Sequence, residues 1–267
     1  MYKRQTPTVQ LVGLSQLENV SPFAFQVVLV DPTTDLPVAF TGQQVTFGYT
    51  ITPGTATAGL DYTGTSGTFV IPAGTDLSVL QFITVPVIND ALFEADETFT
   101  VTLTSAINAT LTDSVGVNVA DPIGEGVILN DDFEPIVTIT YVGPNGFGAP
   151  TVEGDLNGMV YEIELSAAAG VDIEVGYYTG NVGDTATEGL DYGSIEDRIV
   201  IPAGSTLYTV YISVVDDALY EGGVGTTETV TVLIYPTDNS PFVFFNDTDI
   251  GEIEDNDTAP TLSINDV

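Results

Sequence analysis

Asn89-Asp-Ala-Leu-Phe-Glu-Ala-Asp-Glu-Thr98 decides how this chain is read. It sets the carboxylates of Asp90, Glu94, Asp96 and Glu97 beside the Asn89 amide, directly after a strand-like run, Gln81-Phe-Ile-Thr-Val-Pro-Val-Ile88. A second version stands at Asp216 to Thr229, after the run Tyr208-Thr-Val-Tyr-Ile-Ser-Val-Val215. Two such clusters in equivalent places, on a chain nearly devoid of Lys and Arg, call for a cation.

Working outward, the two halves of the chain align. Gly59-Leu-Asp61-Tyr62 answers Gly189-Leu-Asp191-Tyr192, and Val70-Ile-Pro-Ala-Gly74 answers Val200-Ile-Pro-Ala-Gly204. Gly126-Val-Ile-Leu-Asn-Asp-Asp132 answers Gly251-Glu-Ile-Glu-Asp-Asn-Asp257. A Pro-led strand start follows each, at Pro135 and Pro260, echoing Pro7. The expected organisation is a repeat at 6–132, a repeat at 133–257, and 258–267 as the first strand of a third repeat or a strand for another subunit. Residues 1–5 carry positive charge with no apolar run behind them, so they are not expected to be a secretory signal and are expected to be non-native or disordered.

Within each repeat, short β-branched runs are split by Gly, Pro, Asn and Asp. Strands are expected near 8–13, 22–30, 43–50, 66–71, 77–88, 97–105 and 124–129. The second set is expected near 136–142, 159–166, 171–178, 195–201, 206–215, 228–235 and 250–254. Thr98-Phe-Thr-Val-Thr-Leu-Thr104 alternates an apolar face with a threonine face. The fold class is all-β: two tandem seven-stranded immunoglobulin-like sandwiches.

Strand parity then gathers the acids. If strands alternate in direction, the first-to-second, third-to-fourth and fifth-to-sixth connections share one pole with the end of the seventh strand. That pole carries Glu18, Asp61, Asn89, Asp90, Glu94, Glu97, Asn130, Asp131 and Asp132 in the first repeat. It carries Glu153, Asp191, Asp216, Asp217, Glu221, Glu228, Asp255, Asn256 and Asp257 in the second. These are the candidate metal ligands. Two like charges about 4 Å apart repel by about 4 kcal/mol at an effective dielectric near 20, so such a group needs a cation or raised pKa values. Calcium, which accepts six to eight oxygens in forgiving geometry, suits ligands from four loops better than magnesium does; more than one ion per repeat is expected. The competing readings are solvated acidic loops, turn-capping by Asp61 and Asp191, and a generally acidic surface adapted to high salt. Asp96 is expected to face solvent, and Tyr62 and Tyr192 to pack in the core.

Composition sharpens the functional choice. The 267 residues hold 38 acidic and 3 basic side chains, a net charge of −35, so neither nucleic acid nor an anionic membrane is an expected partner. With no Cys and no His, only oxygen ligands remain for a metal. No apolar run of membrane-spanning length exists, so no membrane insertion is expected. Hydrophobic content of 43%, with 12 Tyr and 13 Phe, marks a folded chain in spite of the charge. Sequons stand at Asn19, Asn108, Asn246 and Asn256.

With these residues in view, each repeat resembles a Calx-beta domain. That family occurs in the regulatory part of sodium–calcium exchangers, in an integrin β-subunit tail and in large microbial surface proteins. The marks are Gly-Leu-Asp61-Tyr62, Ile-Pro-Ala-Gly74, Asn89 to Glu97 and Ile-Leu-Asn-Asp-Asp132, with their second-repeat partners. Departures are Asn89 and Asn130, where calcium-binding members often carry Asp, and the insertion Gly222-Gly-Val-Gly-Thr-Thr227 between Glu221 and the candidate ligand Glu228. The resemblance implies calcium at the pole facing the next domain. The leading expectation is a structural module of an extracellular or cell-surface adhesin, stalk or fibre, with calcium rigidifying the junctions between repeats. Its partners would be neighbouring repeats, other copies of itself, or a cell-surface or matrix ligand. The alternatives are a self-assembling filament subunit that donates 258–267 by strand addition and a calcium sensor domain. No enzyme is expected: paired carboxylates stand without a cleft, a His or an arginine clamp.

Overall fold

The computed structural model describes residues 6–34, 36–39, 41–64, 66–111, 122–222, 225–237 and 244–263, with backbone alone at 244–246. Among them there are 17 strands and no helix, hence no helix long and apolar enough to cross a membrane. The chain divides into two compact units at Asp131/Asp132, with Leu92–Glu94 grouped with the second.

The first unit contains β1 (Thr8–Val12), β2 (Leu14–Leu17), β3 (Phe23–Val30), β4 (Val45–Pro53), β5 (Gly67–Ile71), β6 (Gln81–Val85), β7 (Glu97–Ile107) and β8 (Ile123–Leu129). They form two sheets, β1-β3-β6 and β2-β8-β7-β4-β5. The single first strand expected at 8–13 is in fact two. β1 pairs antiparallel with β3, while β2 crosses to the other sheet and runs parallel to β8. Gly13 makes the crossing, where a methyl group would sit 2.7 Å from the Glu125 carbonyl oxygen. The strand expected at 77–88 shortens to β6, because Pro86 has no N–H for the ladder and its carbonyl instead accepts from Thr63.

Alternation fills the core. Phe99, Val101 and Leu103 of β7 are buried while Thr98, Thr100 and Thr102 are only partly covered. Phe99 is the hub. Tyr62 stacks on it with ring centroids 4.7 Å apart, and Phe23 and Phe25 each stand 5.7 Å away. Gly126 lies beneath this ring, and a methyl there would come within 2.7 Å of it. Phe99→Ala should therefore cost the first unit about 3–5 kcal/mol, read as a lower denaturant midpoint at unchanged slope.

The second unit contains β9 (Ile136–Tyr141), β10 (Thr151–Val152), β11 (Met159–Leu165), β12 (Ile173–Thr179), β13 (Glu196–Ile201), β14 (Leu207–Ile212), β15 (Thr227–Pro236), β16 (Phe244–Asn246) and β17 (Thr248–Glu254). Its sheets are β14-β11-β9-β16 and β10-β17-β15-β12-β13. The strand count exceeds the expected seven because β10 and β16 are short edge pieces, each paired in parallel. Tyr161 and Met159 are fully buried over Gly251, the counterpart of Gly126, and the Tyr161 hydroxyl donates to the Val230 carbonyl at 3.1 Å. Thr231 is buried, and its hydroxyl and N–H both bond Asp184.

Residues 258–263, expected to start a strand, form none, and 264–267 lie outside the described residues. Tyr62 and Tyr192 are core residues as expected, at 1% and 3% exposure.

Candidate metal centre

In the second unit the parallel pairing of β10 with β17 does the first piece of positioning. Thr151 and Val152 lie opposite Ile253 and Glu254, and the Glu153 N–H donates to the Glu254 carbonyl at 3.1 Å. Glu153 thereby stands beside Asp255 and Asp257, a hundred residues away in sequence. Carboxylate oxygens of these three lie within 4.8 Å of one another.

A buried tyrosine positions the next ligand. Tyr192 bridges Val214, and Val215 donates its N–H to the Asp191 carbonyl at 2.9 Å. The Gly189 loop closes on itself through Gly189 N–H to Tyr192 O at 2.8 Å, a turn at φ +79° that favours glycine. Asp191 accepts the Thr187 N–H, so it does cap a turn. Its carboxylate also lies within 4.8 Å of oxygens from Glu221 and Glu228. Turn-capping and cluster membership are thus compatible in one side chain. The insertion after Glu221 leaves Glu228 within this cluster. Glu228 is held by β15, directly opposite Ile253, and Asp255 clamps the loop by accepting from Glu221 N at 2.9 Å and Gly222 N at 3.2 Å.

Electrostatics mark this pole. Burial, then the charges of Asp255, Glu221 and Asp217, push Glu153 up to about 7 from an ordinary 4.5. Burial, then Asp191 and Glu221, push Glu228 up to about 7 as well. Glu221 and Asp257 are raised for the same reasons, burial first. Asp255 alone is lowered, by the backbone N–H groups of Asp257, Glu221 and Gly222. Glu153 Oε2 and Asp257 Oδ2 are buried with no hydrogen-bond partner. Buried anionic oxygens need a donor or a cation. Arg198, the sole basic residue among those described, pairs with Glu174 at 2.9 Å. An all-oxygen donor set with orphaned, inward atoms is compatible with calcium.

Asp216, Asp217 and Asn256 surround these groups without joining either triad. Asp217 accepts from Leu219 N at 2.6 Å, and Asn256 donates to the Glu153 carbonyl at 3.0 Å and to Asp216 at 3.4 Å. Asp216 packs over Gly154, where a methyl would meet its carboxyl carbon at 2.9 Å.

The first unit repeats the scheme. Glu18 follows β2 and donates its N–H to the Leu129 carbonyl at 3.1 Å, next to the 130–131 pair. Oxygens of Glu18 and Asp90 lie within 4.8 Å of each other, as do those of Asp61 and Glu97. Asp61 caps the Thr57 turn, and Ile88 donates to its carbonyl at 2.8 Å. Glu94 and Asp132 fall to the second unit. The Asn89 side chain donates to the Asp90 carbonyl at 3.0 Å. Asn19, read in the sequence only as a sequon, donates to Asp131. Asp96 is exposed as expected, yet it also accepts the Asn130 N–H at 3.2 Å, a link no sequence pattern announces.

No curated protein matches the chain. Among solved structures, CBD12 from CALX1.2 is 20% identical, covering 92% of this chain and 98% of its own, with a TM-score of 0.37. The calcium binding domain CBD12 of CALX1.1 is 22% identical over 87% and 82%, with a TM-score of 0.36. The apo-form Calx CBD1 domain is 29% identical over 48% and 100%, also at 0.36. The sequence profile of the Calx-beta domain matches residues 18–132 and again 149–254. Two successive matches spanning most of its length make this chain a member of the Calx-beta family, with two such domains in tandem.

Proposed function

We propose that both domains bind calcium at their acidic poles and that the chain is a structural module of an extracellular adhesin, stalk or fibre. The observation that carries this reading is the pair of buried, unpartnered oxygens on Glu153 and Asp257, beside a Glu228 whose carboxyl is pushed up to about 7. Doubly charged hard cations would neutralise these carboxylates. In the second domain one ion would be held by Glu153, Asp255 and Asp257 and another by Asp191, Glu221 and Glu228. Calcium supplies charge neutralisation and cross-links loops remote in sequence; the backbone clamp of Asp255 orients its carboxylate beforehand.

The structural role follows from where the ligands stand in the sequence. Asp132 is followed within three residues by the opening strand motif of the next repeat, and Asp257 likewise by Pro260. Ion binding at such a boundary removes conformational freedom from the connection and adds binding energy to folding. Millimolar calcium, the level outside cells, occupies by half or more sites with dissociation constants of about 0.1–1 mM, the range known for extracellular modules. The reading assigns no catalytic role, and its partners are neighbouring repeats or further copies of the chain.

Calorimetric melting in a calcium titration tests it. Each occupied site should add about 2.7 kcal/mol at a calcium concentration one hundred times its dissociation constant. Magnesium at equal concentration should add much less, and scattering should report a stiffer particle with calcium. An unchanged melting profile at millimolar calcium would refute calcium binding. Dissociation constants near micromolar would favour the sensor alternative over a structural module.

A further inference from the structure

The two domains differ where their first strands cross between sheets. In the first domain Gly13 alone separates β1 from β2; in the second, residues 142–150 separate β9 from β10. This inserted loop, Val142-Gly-Pro-Asn-Gly-Phe-Gly-Ala-Pro150, is tied down at its base by Gly148 N–H to Val142 O at 2.7 Å and by the Tyr141 hydroxyl to Ala149 O at 2.8 Å. Its tip, Asn145 to Gly148, is exposed.

We propose that Asn145 is a site of spontaneous deamidation, at which the second domain gains a carboxylate and, in part of the molecules, an isoaspartyl link. The succeeding residue, Gly146, has φ +77° and no atom within 4 Å of where a Cβ would be, so nothing packs against its Cα to hinder rearrangement of the Asn145–Gly146 backbone. That N–H is held only by a long bond of 3.3 Å to the Gly143 carbonyl. The Asn145 Oδ1 accepts the Phe147 N–H at 3.0 Å. A donor is thus already aimed at the oxygen that becomes negative when Cγ is attacked.

The steps balance without any redox partner. The Gly146 nitrogen loses its proton to water or hydroxide and forms a bond to Asn145 Cγ. The Cγ–Nδ2 bond then breaks, Nδ2 taking up a proton from water and leaving as ammonia. Water opens the resulting five-membered imide at either carbonyl, giving aspartate or isoaspartate, each with one new negative charge.

The chain carries its own control. Asn157-Gly158 is the other Asn-Gly pair, and there the glycine is locked. Its N–H bonds the Asp155 carbonyl at 3.0 Å, a methyl on it would collide with the Ile212 carbonyl oxygen, and β11 begins at the next residue.

The test is a time course on the full folded chain in mildly alkaline buffer, followed by acidic-residue-specific digestion and peptide mass mapping. The peptide containing Asn145 should gain one mass unit several-fold faster than that containing Asn157. In the urea-unfolded chain the two rates should converge, and Asn145→Gln should abolish the gain at the first site. Equal rates in the folded chain, or a folded Asn145 that stays intact while the unfolded one reacts, would overturn the proposal.

Discussion

Glu153→Gln is expected to move two measurements in opposite directions. In chelator the variant should melt higher than the parent, and in calcium it should gain far less. The first effect arises because Glu153 is 6% exposed, with an orphaned Oε2 among the charges of Asp255, Glu221 and Asp217. A neutral amide ends that repulsion and can donate to the neighbouring carboxylates. The gain at pH 8 is about 1–3 kcal/mol, allowing for solvent screening. The second effect arises because the same oxygen is a proposed ligand; its loss should weaken calcium binding at this site by about 10- to 100-fold, the range found when residues supporting a metal site are removed. A solvated acidic loop predicts neither change. A variant that melts like the parent in both conditions would remove Glu153 from the site.

The second large effect is a pair of opposed pH trends: stability in chelator falls as pH rises, while the increment added by calcium grows. Glu153 and Glu228 have folded values of about 7 against 4.5, so between those values the folded state binds more protons than the unfolded state. Their contribution to stability is complete below 4.5 and is lost as pH rises through 7. Glu221 and Asp257 are raised too and act with the same sign. Asp31, Asp76 and Asp255 are lowered, so their contribution falls away only in acid below their ordinary 3.8, outside this window. In chelator, then, the melting temperature should fall from pH 5 to pH 8. Calcium binds the deprotonated carboxylates, so in excess calcium the increment it adds should grow over the same interval. Melting curves at matched ionic strength check both slopes. A chelator profile that rises with pH would contradict the burial of these groups.

Much of the fold was legible because its signals are local. Period-two alternation in β7, the Gly-Leu-Asp-Tyr turns and the Pro-led strand starts each act over a few residues. The duplication multiplied them. Parity of strand direction even placed Glu153 near Asp255 to Asp257, since a chain that alternates direction must return to the same end. The crossing of the first strand between sheets was not legible, because it depends on how closely Gly13 can approach the Glu125 backbone on a strand far along the chain. Nor was the position of Glu228. An insertion precedes it in the sequence, and only the fold shows Asp255 accepting two N–H groups of that segment.

By itself the sequence determined that this is an all-β tandem repeat, acidic at corresponding turns, with only oxygen ligands to offer a metal. These properties follow from residue type and spacing, which need no third dimension. Only the tertiary structure decided which oxygens are buried without partners, which carboxylates are already satisfied by backbone N–H groups, and which are driven up to about 7. Burial and Coulomb coupling depend on distances between segments a hundred residues apart, and no local pattern encodes them.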